Sequence, residues 1–224
     1  MNLKDTPFID IHTHQDGSGG TTFGVHPWKL QSTALKTLEN LLKNNKIAAI
    51  GETGLDRLHK DTYDLQLDFF EKHILLSEQY QKPLIIHNVR ATSDLLRLHK
   101  IYHPKQIWIV HGFNGSVEEA RQLTDLGICL SVGESLFYPN RKITKTIKSI
   151  PLDYLFLETD ISEKPIQAIY EKASELLNLP LETLKEQIFA NFARLNLSPW
   201  KIGNNAHDCS SATMALKNWD EATC

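Results

Sequence analysis

At 224 residues, 41% hydrophobic and 23% charged, the chain has the composition of an ordinary globular domain, long enough for one core. A formal charge of −3 provides no global field to draw it onto nucleic acid or an anionic membrane. Three cysteines, Cys129, Cys209 and Cys224, without short paired spacing argue against a disulfide framework and a thiolate zinc site, and a reducing cytoplasmic setting is expected.

The first residues, MNLKDTP, carry no apolar run and pass directly into a strand-like FIDIH, so neither a secretory leader nor a spanning helix is expected. Six further apolar, turn-bounded runs follow as predicted buried strands: TTFGVH, IAAIGE, PLIIH, IWIVH, ICLSVG and LFLETD. Helical spacing fills the intervals. Over 62–80, Leu65, Phe69, Phe70, His73, Leu75 and Leu76 mark one broad apolar face. Two more helices are predicted at 165–177 and 181–195, before a Pro199-Trp200 turn. Alternation of strand and helix through one domain predicts an α/β architecture with a mainly parallel sheet, closed as a barrel or open and doubly wound. Gly17, Gly19 and Gly20 lie between two strands rather than opening a helix, which argues against a nucleotide fingerprint. The domain is expected over 1–202. Residues 203–224, rich in Asn, Ser and Thr, read as a poorly ordered tail with a short helix near Ala215, where His207 and Cys209 are incidental.

Ligand-type residues stand at or just after the ends of most strands: His12 and His14, His26, Glu52, His87, His111 and Asp160. Any one buried histidine is commonly a backbone-bonded core residue. Strand-end placement changes the reading, because in a barrel all these ends converge on one face. His12 and His14 are two apart and project to one side of a strand, as ligands of one ion would. Glu52 and Asp160 supply the negative charge that two neighbouring cations require, and a carboxylate can bridge both. His87 and His111 end apolar runs, where a polar group costs free energy unless it finds a partner, and they suit the second ion. The N/O set admits Zn²⁺, Mn²⁺, Co²⁺ or Mg²⁺. Two such ions per chain would activate a water for hydrolysis, with Asp160 as ligand and general base. Asp10 is assigned an orienting role toward a ligand, or a structural hydrogen bond.

These residues also fall within stretches that together resemble the TatD-related metal-dependent hydrolases: DIHTHQD at 10–16, GVHPW at 24–28, AIGETGLD at 49–56, KPLIIH at 82–87, IVHGFNGS at 109–116, LETD at 157–160 and NFARL at 191–195. The resemblance implies a TIM-type (β/α) barrel. It implies one ion held by His12, His14, Glu52 and Asp160, a second by Glu52, His87 and His111, and Glu52 as the bridge. It further implies phosphodiester or deoxyribonuclease activity on a small-molecule or nucleic-acid phosphodiester. The alternatives are another ester, amide or lactone substrate, or a barrel that binds without turnover. No stable nucleic-acid complex and no membrane partner are expected; the oligomeric state is open, with a monomer favoured.

Three departures stand out. Only eleven residues, QDGSGGTTFGV, separate His14 from His26, where the family places a further strand and helices, so seven strands and an incomplete barrel are expected. The loop ISEKPI after Asp160 is short. Arg57 and the stretch HNVRA, with Arg90, replace usual family residues, and either arginine is an anion contact or a surface ion-pair partner. His26 is expected to contact substrate or support a ligand. His59, His73, His99 and His103 are expected to be structural or superficial. The basic run at 141–148 reads as a solvated helix face, with attraction of a phosphodiester backbone as the alternative.

Overall fold

The computed structural model describes residues 6–15, 19–197 and 213–218. Its strands are β1 (Phe8–Thr13), β2 (Gly19–Phe23), β3 (Ala49–Asp56), β4 (Leu84–Val89), β5 (Trp108–Val110), β6 (Cys129–Val132), β7 (Leu155–Leu157) and β8 (Thr213–Asn218). The helices are α1 (Ser32–Lys43), α2 (Tyr63–Tyr80), α3 (Thr92–Tyr102), α4 (Val117–Thr124), α5 (Ile143–Thr146), α6 (Ile166–Leu177) and α7 (Leu181–Ala193). All eight strands are parallel, in the order β1-β8-β2-β3-β4-β5-β6-β7. A bridge from Thr13 to Asp160 joins the two ends of that order, with His14 N–H donating to Asp160 O at 3.1 Å and Asp160 N–H to His12 O at 3.0 Å. The architecture is a TIM-type barrel.

Two expectations change. Among the described residues there are eight strands rather than seven, and residues 213–218, expected in a poorly ordered tail with a helix near Ala215, form the eighth. The strand that is last in sequence is second in space. It pairs with β1 through Phe8 to Thr213 and Ile9 to Met214, and with β2 through Thr21 to Lys217. The physical reason is that a missing unit between His14 and His26 leaves two parallel edges unpaired, and an unpaired edge recruits whatever strand can reach it. The local sequence TMALKN is a weak strand former, so tertiary pairing decides its state. Leu216, fully buried, and Met214, nearly so, face the core. The Pro199-Trp200 turn, His207 and Cys209 lie outside the described residues, as does Cys224.

The strands are buried nearly throughout, as a parallel sheet covered by helices demands. Trp108 on β5 meets Phe70 on α2 edge to face at 5.6 Å, and both are buried. Tyr170 on α6 ties that helix to β1, its hydroxyl donating to Ile9 O at 3.0 Å and accepting from Ile9 N–H at 3.1 Å. The inner face of α2 differs from the expected one: Gln66, Phe69, Phe70, His73, Ile74 and Ser77 are buried, whereas Leu65 and Leu75 are exposed. Polar residues occupy that face because each finds a partner. His73 accepts from Val25 N–H at 3.0 Å and donates to Phe69 O at 2.7 Å, and Gln66 accepts from Asp56 N–H at 2.7 Å. Gly19 and Gly20 sit within β2, with no helix opening on them. No described helix is long and apolar enough to cross a membrane.

Candidate metal centre

Two strands are irregular where the candidate ligands leave them. In β3, Ile50 pairs with Leu84 but Thr53 with Ile86, so one extra residue is accommodated around Gly51 and Glu52. In β1, Asp10 pairs with Ala215 but Thr13 with Lys217, an equal irregularity around His12. Such bulges re-aim side chains beside active sites. Close packing permits it: a Cβ on Gly24 would stand 2.6 Å from the Glu52 carbonyl oxygen, so β2 can approach the bulge only through glycine.

Glu52 is the centre of the arrangement. Its Oε1 lies 3.0 Å from His12 Nε2 and 2.9 Å from His14 Nε2, while Asp160 Oδ1 stands 3.7 and 3.6 Å from the same nitrogens. Its Oε2 faces the other way, 2.9 Å from His111 Nε2, 3.6 Å from His26 Nε2 and 3.9 Å from His87 Nδ1. The structure thus brings all six expected residues together. It adds His26, which shares with Glu52 and His87 a group of ligand atoms within 4.8 Å of one another. His12, Glu52 and His111 are buried, whereas the His14 and Asp160 side chains remain 30% and 33% exposed, so the centre opens on their side.

The donor set fits divalent cations. Ligand bonds of about 2.0–2.2 Å place neighbouring ligand atoms roughly 3.0–3.5 Å apart, and the separations here, from 2.9 to 3.9 Å, bracket that range. Several buried polar atoms have no hydrogen-bond partner among the described residues: His12 Nδ1, His111 Nδ1 and Glu158 Oε2. Orphaned buried groups are rare and mark a missing partner such as an ion. Among the described residues no lysine or arginine pairs with Glu158 or Asp160. Burial pushes the Glu52 carboxyl up, but the His111, His12 and His14 imidazoles outweigh it and hold it well below the carboxylate range. Burial lowers His111, yet Glu158 and Glu52 draw it well above an ordinary histidine. Burial, with His87 beside it, lowers His26 to about 4, and burial followed by His111 lowers His87. Asp160 is raised, first by burial and then by Glu158.

Two supporting carboxylates were not singled out from sequence. Asp56 Oδ2 lies 3.3 Å from His87 Nε2 and accepts the Trp28 indole N–H at 2.8 Å, and Oδ1 accepts Leu58 N–H at 2.8 Å. Glu158 Oε1 accepts Gly112 N–H at 2.6 Å and stands 3.8 Å from His111 Nδ1. Both are carboxylates behind an imidazole, the arrangement that fixes ring orientation at metal sites. The available signal was their place inside strand-end motifs that already contained a ligand. Asp10, in contrast, bonds no candidate ligand side chain. Its oxygens accept from Thr159 N–H at 3.0 Å and Thr159 Oγ1 at 2.7 Å, which braces the residue before Asp160.

The remaining candidates sort plainly. Arg57 is engaged by Asp94 and lies over the Tyr63 ring at 5.0 Å, which favours the ion-pair reading, whereas Arg90 is exposed just past His87. In the run 141–148, Ile143 and Ile147 are buried and the cations exposed. Ile143 N–H and Thr146 Oγ1 tie it to Asn114 Oδ1 and Gly115 O in the loop after His111. His73 is a buried core residue; His59 and His99 pack edgewise or tilted on Trp28 and Trp108, and His103 ends α3.

Eight parallel strands with imidazoles and carboxylates gathered at their carboxyl ends define a TIM-type barrel with a candidate metal centre. Comparison with known proteins places it more closely: residues 9–196 match the family described as TatD related DNase, and the chain belongs to that family. It is 34% identical over 149 residues to an uncharacterized metal-dependent hydrolase of Buchnera aphidicola, covering 61% of this chain and 56% of that one. It is 28% identical over 187 residues to a Schizosaccharomyces pombe protein named deoxyribonuclease Tat-D, covering 75% and 60%. The chain therefore spans less than two thirds of these curated relatives. The crystal structure of the TatD homologue YjjV from Escherichia coli shares the fold, with a TM-score of 0.75 at 24% identity, over 84% of this chain and 96% of that one.

Proposed function

We propose that the chain is a two-metal hydrolase that cleaves phosphodiesters with water as nucleophile, in the manner of a TatD-like deoxyribonuclease. The division of Glu52 carries the reading: one carboxylate oxygen faces His12 and His14, the other faces His111 and, farther off, His26 and His87. His12, His14, Glu52 and Asp160 would hold one cation, and Glu52, His87 and His111 the other. Divalent cations held there would supply a lowered pKa for water and would offset charge on a phosphoryl oxygen. Zn²⁺, Mn²⁺, Co²⁺ and Mg²⁺ all suit the nitrogen and oxygen donors.

The chain's own groups do the rest. Asp160, on the open side of the centre, accepts the proton of the attacking water. Burial of His12, Glu52 and His111 keeps water from the closed side, and Asp56 and Glu158 hold the His87 and His111 rings in one orientation. The name of the fission yeast relative supports DNA as the substrate class. The buried free thiol of Cys129 suits a reducing cytoplasm.

Turnover of bis(p-nitrophenyl) phosphate and p-nitrophenyl acetate by Mn²⁺- or Zn²⁺-loaded protein tests the reading. Phosphodiester cleavage that falls by about 10²- to 10⁴-fold in Asp160→Asn is expected. Cleavage of the acetate alone would move the assignment to another ester class, and no turnover with metal bound would leave a binding barrel.

A further inference from the structure

Beside the metal centre stands an aromatic surface that the hydrolytic reading does not use. Trp28 follows the GVHP segment and is 58% exposed, yet it is not loosely held. Its indole N–H donates to the buried Asp56 at 2.8 Å, and its backbone N–H donates to His26 Nδ1 at 3.2 Å. The ring lies 4.9 Å from that of His26 and 5.7 Å from that of His87, so it borders the metal cluster directly. On its other side His59 leans against it at 5.1 Å. His59 in turn lines an open cleft of about 400 Å³ with Leu58, Lys60, Asp61 and Thr62, and Leu58 is itself 59% exposed.

An indole tethered by its N–H to a buried carboxylate, on a backbone held by a second hydrogen bond, has already lost much of its rotamer freedom, so a flat ligand stacking on it loses little further entropy. A surface of this kind suits a planar heterocycle, and its position beside the cluster requires that heterocycle to be joined to the group being hydrolysed. A nucleobase attached through its sugar to the scissile phosphate has this form. Lys60, which lines the same cleft, supplies a cation for a neighbouring phosphate of a chain. We infer that Trp28, flanked by His59 and Leu58, is the stacking subsite for the nucleobase adjoining the scissile phosphodiester. The inference rests on the phosphodiester reading above and adds a preference for base-bearing over base-free substrates.

Trp28 also holds Asp56, so removing it acts on His87 as well. Comparing Trp28→Phe with Trp28→Leu separates the two effects, since both lose the indole N–H and only Phe keeps an aromatic face. The measurement is calorimetric binding of a phosphorothioate-linked thymidine dinucleotide, and of its abasic counterpart, to the metal-loaded full chain. Native protein is expected to bind the base-bearing analogue about tenfold more tightly. Trp28→Phe should keep most of that ratio and Trp28→Leu should bring it near one, while the two variants bind the abasic analogue equally. A ratio preserved in Trp28→Leu, or a ratio of one in the native protein, would overturn the subsite. Failure of the native protein to bind either analogue would instead overturn the phosphodiester reading on which it rests.

Discussion

Asp56 takes one nitrogen of His87, at 3.3 Å from Nε2, and thereby leaves the other, Nδ1, turned toward Glu52 at 3.9 Å. A histidine has two ring nitrogens, and a partner on one sets the tautomer and orientation in which the other meets a metal. Asp56→Asn should therefore weaken metal binding or activity by about 10- to 100-fold while the fold persists. Metal titration of the variant, with circular dichroism to confirm folding, checks this; unchanged affinity would remove Asp56 from the account.

The backbone imposes a stricter demand at Gly54. Its φ of +141° lies where side chains are strained, and a Cβ there would stand 2.1 Å from the His87 carbonyl oxygen. Gly54→Ala should cost on the order of 3 kcal/mol or more, because neither the left-handed backbone nor the β3–β4 contact can yield cheaply. Chemical denaturation measures the loss.

His73 gives the barrel a pH dependence away from the centre. Burial lowers its pKa from 6.5 to about 4. The folded state therefore favours the neutral ring, its contribution is complete above pH 6.5, and it is lost as pH falls toward 4. The interval corresponds to about 3 kcal/mol. Denaturation midpoints of native protein should fall across that window, and His73→Gln, which does not titrate, should show a shallower slope. Parallel slopes would contradict the assignment.

The C-terminal strand closes the barrel at the place where the chain is short. Leu216 is fully buried, and Leu216→Ala should cost about 2–5 kcal/mol. Ending the chain after Leu197 should expose the edges of β1 and β2 and abolish cooperative unfolding. A truncated chain that melts like the native one would show that β8 is dispensable.

Seven strands were legible because each is an apolar run bounded by turn residues, and the six candidate ligands because they stand at strand ends. β8 was not, since TMALKN lies in a polar stretch and is a strand only through the two edges it meets. The place of His26 was also hidden, because it depends on how far β2 lies from the bulge at Glu52. Nor could sequence spacing distinguish Asp10, which braces Thr159, from Asp56 and Glu158, which stand behind ligand imidazoles; all three are carboxylates in a strand-end motif that also carries a candidate ligand. The face of α2 was misread because buried Gln66 and Ser77 look polar until their backbone partners are seen.

The central claim is that Glu52 joins two cation sites. Elemental analysis of metal-loaded protein, native and Glu52→Gln, addresses it directly. The account predicts about two equivalents of divalent metal per chain in the native protein and no more than one in the variant. One equivalent or none in the native protein, or two retained by Glu52→Gln, would contradict it.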